Sequence, residues 1–414
     1  MYGGSVDFLY CHPNYPIFTG SSGSAIDVFD ACLINGFGEV TLSSLTIDAN
    51  GIATATSNAH GYNKVPLVIL ISGADQEAIN GEWEITGTST NTILFDATDS
   101  GLTSTTITGA SIKLKVAPLG WEKVFSDAPN YVAVYRSKDP FSRQHFLRVD
   151  DSDAYGVQSV PFTYCRGFEQ MSSAQDIGHN PFPPPQILAR GVGVEKSCYI
   201  PGGIYATANN ANLSWTLVGT SCQFYFNSHF YLGNISGGRM PFYFGDLVSY
   251  VPGDYGATLI SGATTFTVIY TPTYWESYND YQGRYCSRTL NKQQNSNNLS
   301  LRNKILLPQG TSTGLMGAST TSPFLEPDLY CNKMIISRPL LIVDELYPNN
   351  LRGEQPGMAA LLNRLTPLTS RYEANTIFTI NGERFMYMPI SIHPNNYGAF
   401  LLSLDRDWNT PFYD

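Results

Sequence analysis

Charged side chains are scarce in this chain: Asp, Glu, Lys and Arg make up 14% of its 414 residues, against about 25% in an average soluble domain. Only 24 residues are Lys or Arg, the formal net charge is −10, and no basic run occurs. A nucleic-acid binder needs a basic footprint to neutralise phosphates, so nucleic acid is set aside as a main partner. Long apolar runs are missing as well. The stretch from Val65 to Ile71, interrupted by Pro66, falls far short of the roughly 18 residues that a membrane span needs. The opening residues MYGGSVDFLYCHPNYP lack the basic and then apolar regions of a signal peptide, so a soluble protein made in the cytoplasm is expected.

Paired cysteines are absent too. Cys11, Cys32, Cys165, Cys198, Cys222, Cys286 and Cys331 stand singly, with no C-x-x-C and an odd total. Dispersed cysteines are mostly small core residues, here buried thiols in a reducing cytoplasm, and one or two disulfides are the other reading. His12, His60, His145, His179, His229 and His393 are far apart and match no metal-ligand spacing; a composite site assembled by the fold stays open. No catalytic, cofactor-binding or metal-binding residue is assigned.

What is present is apolar and aromatic: 43% hydrophobic residues, with 26 Tyr and 22 Phe. Ser, Thr, Asn and Gly fill positions where a cytosolic enzyme carries Lys and Glu, a surface suited to subunit packing. The length predicts two or three domains. The clearest helix starts at Ser24, read as the cap with Asp27 at the capping-box position, and runs through Ile26, Phe29 and Leu33 to Gly36. Almost everything else reads as strand, including Tyr131–Tyr135, Phe146–Val149, Thr265–Tyr270, Lys333–Ile336 and Leu340–Val343. Asn50-Gly51, Asn80-Gly81 and Asn381-Gly382 each lie between apolar runs and predict tight hairpin turns with positive φ at both residues.

The expected class is mainly β: a multi-domain β-sandwich or barrel architecture with one short N-terminal helix and an inserted small β-barrel module. Residues 41–116 are rich in Thr, Ser, Ile and Ala, with short strands at regular spacing. They are expected to be an insertion in an N-terminal β domain made of residues 1–40 and 117–179. The prolines at Asn180-Pro-Phe-Pro-Pro-Pro185 predict a semi-rigid connector to C-terminal β domains over 187–414, where a polar loop is expected near 290–304. No repeat of fixed period argues for a propeller or solenoid.

Candidate chemistry is sparse. Gly310-Thr-Ser-Thr-Gly314 matches a nucleophile elbow, but the Gly, Ser, Thr and Pro323 that follow argue against the helix it requires. Asp150-Asp-Ser-Asp153 looks like a truncated calcium loop without the distal Glu, and a polar turn after a strand is the simpler reading. Gly191-Val-Gly193 with Glu195-Lys-Ser197 has the wrong spacing for a P-loop. Glu326, Asp328, Asp344 and Glu345 are the carboxylates weighed as a glycan-hydrolysing pair. Aromatic clusters at Phe224-Tyr-Phe226, Pro241-Phe-Tyr-Phe244 and Tyr274-Trp-Glu-Ser-Tyr278 with Tyr281 would stack on sugars in a lectin, or pack a core or interface in an assembly.

Several segments together resemble virion structural proteins from the tail-gene regions of tailed bacteriophages. They are Asp30-Ala-Cys-Leu-Ile-Asn-Gly-Phe-Gly38, Gly120-Trp-Glu-Lys-Val-Phe125, Val132-Ala-Val-Tyr-Arg136 and Phe146-Leu-Arg-Val-Asp-Asp151, then Phe244-Gly-Asp246, Pro252-Gly-Asp254, Leu351-Arg-Gly353, Gln355-Pro-Gly357, and Phe400–Asp405 with Trp408. Within 41–116, His60-Gly61, Ile71-Ser-Gly-Ala74 and Ile79-Asn-Gly-Glu-Trp83 resemble a small β module of phage structural proteins. Glu354-Gln355 departs from the more apolar version of its loop. The resemblance implies a non-enzymatic part of the virion tail, in the tail tip, baseplate or fibre-attachment region. It would act as a homo-oligomer through contacts with other tail and baseplate proteins. A receptor- or glycan-binding tail protein with a host surface glycan as partner, a head decoration or connector protein, and a polysaccharide depolymerase are the alternatives.

Overall fold

The computed structural model describes residues 7–10, 16–19, 21–62, 66–152, 162–176, 178–182, 198–201, 213–232, 235–254, 256–261, 284–286, 336–343, 351–361, 375–393 and 396–411. The expected strand at Thr265–Tyr270, the polar loop near 290–304 and the segment 333–335 lie outside them.

The chain is mainly β. Strand β1 (Asp7–Tyr10) precedes helix α1 (Ser24–Phe29), which continues as a wider π-helical stretch over Asp30–Asn35. An eight-stranded array follows: β2 (Phe37–Thr41), β3 (Ser44–Ile47), β4 (Ile52–Thr56), β5 (Val68–Ser72), β6 (Gly81–Thr88), β7 (Thr92–Asp96), β8 (Thr105–Thr106) and β9 (Lys113–Val116). Next is an antiparallel meander of β10 (Trp121–Asp127), β11 (Val132–Ser137), β12 (Phe146–Asp150), β13 (Phe162–Phe168) and β14 (Cys198–Pro201). The remaining strands are β15 (Trp215–Gly219), β16 (Gln223–Leu232), β17 (Ile235–Asp246), β18 (Val248–Ser249), β19 (Ala257–Ser261), β20 (Arg284–Cys286), β21 (Ile336–Val343), β22 (Leu351–Leu361), β23 (Ile377–Ile380), β24 (Glu383–His393) and β25 (Asn396–Ser403). With β1 they make a branched 12-stranded sheet.

The array over 37–116 is open and not the expected closed barrel. Its order is β2-β9-β5-β6-β7-β4-β3-β8, with β2 and the two-residue β8 at opposite ends. Strand β6 pairs with β5 through Gly81–Glu84 and with β7 through Ile85–Thr88, and the register shifts between Ile85 and Gly87. That irregularity turns one strand from one half of the array into the other. Side chains alternate with period two, as Leu45 and Ile47, Ala53 and Ala55, Ile93 and Phe95, and Leu114 and Val116 point inward. Because β2 pairs directly with β9, Phe37 opposite Val116, the chain leaves and returns at neighbouring strands.

Two strands cross the expected domain division near residue 180. β1 pairs with β15 in the large sheet, and β14 pairs with β13 in the meander. One apolar cluster unites these layers. Phe29 of α1 packs edge-on against Tyr135 of β11, Phe224 and Phe226 of β16, at ring centroid distances of 5.9, 5.6 and 5.3 Å. The start of the expected proline connector is also docked. Phe182 exchanges both backbone hydrogen bonds with Gly167 of β13, and its ring occupies the space a side chain at residue 167 would need.

Local signals resolve unevenly. Ser24 is the first helical residue and its hydroxyl donates to the Thr19 carbonyl at 2.5 Å, so it is not the cap. Gly23 takes that place, and the Asp151 carboxylate, from β12's end, accepts from Ala25 N at 2.9 Å. Of the three Asn-Gly pairs, only Asn381-Gly382 has positive φ at both residues (53° and 85°), closing the β23–β24 hairpin. At Asn50-Gly51 the turn is organised by Asp48, whose carboxylate accepts from Asn50 N and Ile52 N. Asn80 instead ties its loop by bonding both backbone groups of Ala74.

Candidate functional site

The aromatic clusters of β16 and β17 are core. Phe224, Tyr225, Phe226, Phe242, Tyr243 and Phe244 are all at most 1% exposed, so none presents a face for a sugar to stack on. Alternation splits them between two interiors. Phe224 and Phe226 face α1, Trp121 and Trp215. Tyr225 faces Tyr243, Phe400 and Trp408, and its hydroxyl donates to the Pro356 carbonyl at 2.7 Å. The cluster around Tyr274 lies outside the described residues.

The second interior holds a buried ion pair. Arg352 on β22 is fully buried, and its guanidinium grips Asp254 in a two-pronged contact, Nε to Oδ2 at 2.7 Å and Nη2 to Oδ1 at 2.9 Å. Ser249 Oγ and Gly256 N also donate to that carboxylate, at 2.8 and 3.1 Å. Burial opposes ionisation of Asp254, but the Arg352 hydrogen bonds and charge, with Ser249 and Gly256, hold its pKa below the usual value. A side chain at Gly256 would collide with the guanidinium, and one at Gly357, whose φ is +62°, would run into the Trp408 indole. Beside the pair, the Tyr250 hydroxyl donates to Glu354 at 2.5 Å, and Thr258 donates to Gln355 at 3.2 Å. The segment expected as a loop at Glu354-Gln355 is therefore the middle of strand β22, and its polar side chains are bonded inward.

A second constellation sits where the loop 138–145, joining β11 to β12, meets the end of β17. Asp246 Oδ2 accepts from Arg143 N at 2.8 Å, while Asp139 of the loop accepts from Ser221 Oγ at 2.5 Å and from Phe141 N at 2.8 Å. Burial pushes the Asp246 carboxyl up to about 7, with Asp139 adding to the rise and Arg143 and Ser142 opposing it. Burial likewise lifts the Cys222 thiol, aided by both carboxylates. Cys222 is thus a buried thiol of low reactivity, and Cys32 and Cys165 are buried as well.

Asp151 is a further buried carboxyl. Besides Ala25 N it accepts from Thr163 Oγ1 at 2.6 Å. Burial raises it to about 6, against the pull of the Thr163, Ala25 and Gly23 hydrogen bonds. Asp150 next to it pairs with Arg148 at 3.3 Å. These two residues serve the helix start and the strand edge, and Asp153 lies outside the described residues. So do Glu326, Asp328, Asp344, Glu345, residues 191–197 and residues 310–314. Among the described residues no group of three or more His, Cys, Asp or Glu is placed to hold a metal ion, and no helix is long and apolar enough to cross a membrane.

Sequence reasoning reached Asp254, Arg352 and Asp246 only as parts of resembling segments. Nothing in Leu351-Arg-Gly-Glu-Gln-Pro-Gly357 itself signals the ion pair, because that half of β22 mixes Arg, Glu and Gln with apolar residues. Asp139 and Asp246 carried no signal either, because 107 positions of chain separate two groups that only tertiary folding brings to one loop.

No protein-family model matches the chain, and no curated protein matches it. Among solved structures it is similar to the phage phi92 endosialidase, at a TM-score of 0.17 and 9% identity. The match covers 89% of this chain and 52% of that one, so the chain spans about half that protein's length. A likeness at this level bears on neither the detailed fold nor the activity of the chain.

Proposed function

We propose that this chain is a structural component of a tailed bacteriophage particle. It would sit in the tail tip, baseplate or fibre-attachment region and act through subunit contacts as part of a symmetric homo-oligomer. The observation that carries the reading is how the segments resembling tail-region virion proteins are used. Asp30 receives both the Tyr135 hydroxyl, at 2.9 Å, and the Lys123 ammonium; Asp151 caps α1; Arg352 grips Asp254; Gly357 lies under Trp408. Asp30 and Asp151 tie α1 and its continuation to the meander, and Arg352 ties β22 to the turn after β18, cross-links that suit a part bearing load between neighbours. The low charge and the Ser, Thr and Asn-rich surface suit close subunit packing.

Cryo-electron microscopy of intact particles tests the proposal. Density for this chain in a ring or cluster at the distal tail supports it. Absence from purified particles, or turnover of host polysaccharide by the purified chain, overturns it.

A further inference from the structure

We propose that Cys165 and Cys198 form a reversible disulfide switch: oxidation joins them across β13 and β14 and staples the edge of the five-stranded meander, and reduction releases it. The inference is independent of where the chain sits in any particle.

The strand register sets the two cysteines opposite each other. β13 and β14 pair antiparallel, with Phe162 against Pro201, Thr163 against Ile200, Tyr164 against Tyr199 and Cys165 against Cys198. Residues directly opposite in such a pair lie on one face of the sheet, and residues two apart along a strand share that face. Two observations identify it. Across the meander Ala133, Val149 and Cys165 are successive partners, and all three are buried in the main apolar cluster. Ile200, two residues beyond Cys198, is buried in the same cluster. Cys198 therefore takes a register position on the face that holds the Cys165 thiol.

The backbone decides what kind of bond the pair makes. Gly167 exchanges both backbone hydrogen bonds with Phe182, on the side of β13 away from β12. Backbone groups return to the same side every second residue, and β13 pairs with β12 without a register shift, so Cys165 turns its own N–H and C=O toward β14. In such a hydrogen-bonded pair the Cα atoms stand about 5.5 Å apart, inside the span of about 4.4–6.8 Å that a disulfide bridges. The Cβ atoms, however, stand at the wide end of about 4.5–5.5 Å, whereas a relaxed disulfide holds them near ~3.8 Å. Closing the bond strains the strands, and a strained disulfide is easily reduced. β14 ends its sheet and can yield to that pull. The bond closes by exchange with a small-molecule disulfide. One cysteine thiolate attacks the reagent and displaces half of it; the second attacks the mixed disulfide and displaces the other half. One S–S bond forms in the protein, one breaks in the reagent, and the two cysteine protons end on the two released thiols. A chain made in a reducing compartment keeps its thiols, and an oxidising medium closes them. The staple fixes the strand that follows the prolines at 181–185 and lies against β19 of the large sheet.

In the test, the full chain is equilibrated with oxidised glutathione, its remaining thiols are alkylated, and its peptides are mapped without reductant. A linked pair of peptides carrying Cys165 and Cys198 is expected, and reduced glutathione alone should open it. Exchange at the Cys198 and Ile200 amides should slow in the oxidised chain by between about tenfold and a few hundredfold, the effect of loop closure less the strain, while amides of β4 hold constant. Cys198→Ser should abolish both the linked pair and the slowing; if C198S does not fold, the wild-type map still decides. Because Cys165 is buried, the oxidation is repeated in urea below the unfolding midpoint, where weakly held strands open first. Absence of the Cys165–Cys198 link under both conditions, a link from Cys165 to a different cysteine, or a link that reduced glutathione leaves intact overturns the switch.

Discussion

The eight-stranded array and the 12-stranded sheet bury their strands in opposite ways. In the array one face of each strand is wet, and the inward positions are Ile, Leu, Val, Ala and Phe; among its described residues, only Ser57 and His60 are buried polar groups. In the large sheet both faces of β15 are buried, and the interior takes in Thr216, Gln223, Asn227, Thr258, Arg352, Glu354, Gln355 and Ser403. An apolar interior is stabilised by area alone and tolerates reshaping. A polar interior depends on every partner being in place, because one deletion leaves its mate desolvated. The array should therefore lose stability gradually on mutation, and the large sheet abruptly.

The largest expected effect comes from Asp254→Ala. It leaves the Arg352 guanidinium buried without its carboxylate, and breaking such a pair costs about 3–5 kcal/mol. Chemical denaturation should show the large sheet unfolding earlier, with exchange protection in β4 and β7 retained. Loss of less than about 1 kcal/mol would place Arg352 in contact with water and remove the contrast.

Ile93→Ala is the matching change in the array, where Ile93 is fully buried between β4 and β6. Truncation costs about 2–5 kcal/mol, toward the low end where neighbours collapse into the space. Denaturation followed by Trp83 fluorescence should report the array's loss, while Trp408, locked by its hydrogen bond to Ser403 at 2.8 Å, keeps its environment. If both tryptophans report one transition, the two regions unfold as one unit.

This contrast also explains what could be read in the sequence. Strict alternation in Leu45-Thr-Ile47 or Ala53-Thr-Ala55 writes a strand and its inward face together. Asn381-Gly382 fixes its own hairpin because both positive φ values are local. Strands buried on both faces, such as Trp215–Gly219, show no period, so their faces were not legible. The buried ion pair joins residues 98 apart and the helix cap joins residues 126 apart, distances over which spacing carries no information. Asn50-Gly51 and Asn80-Gly81 misled because Asp48 and Asn80 offer side-chain bonds that outcompete a two-residue turn.

A smaller effect separates the regions by pH. Asp151 and Asp246 have folded pKa values raised to about 6 and about 7. Their contribution to stability is full below the unfolded value near 4 and is lost as pH rises through those folded values. Asp254 runs the other way: its lowered pKa contributes stability above about 4 that is lost as pH falls further. Stability of the layers around α1 should decline between pH 4 and 7. Asp151→Asn should remove on the order of 2 kcal/mol of that decline at most, without altering the array's own pH dependence, to which the raised Glu82 and the lowered His60 contribute. An unchanged profile in D151N would show that the Asp151 proton plays no part.

The smallest expected effect lies where, among the described residues, the two regions meet through charge. Arg384 of β24 reaches Glu84 of β6, Nη2 to Oε2 at 3.1 Å, and also Asp405, Nη2 to Oδ1 at 2.7 Å. All three side chains are about a third exposed. Glu84 raises the Arg384 pKa, but an arginine is charged at every pH of interest, so the pair has no proton switch. Partly exposed pairs contribute about 0.2–1 kcal/mol, less in salt. Glu84→Gln should leave the midpoint of unfolding within that range and raise exchange at β6, the strand that carries Glu84, and at its partner β5. A loss of several kcal/mol in E84Q would mean that charge couples the array to the sheet, and the contrast between a tolerant array and an intolerant sheet would then hold only within each region and not at their junction.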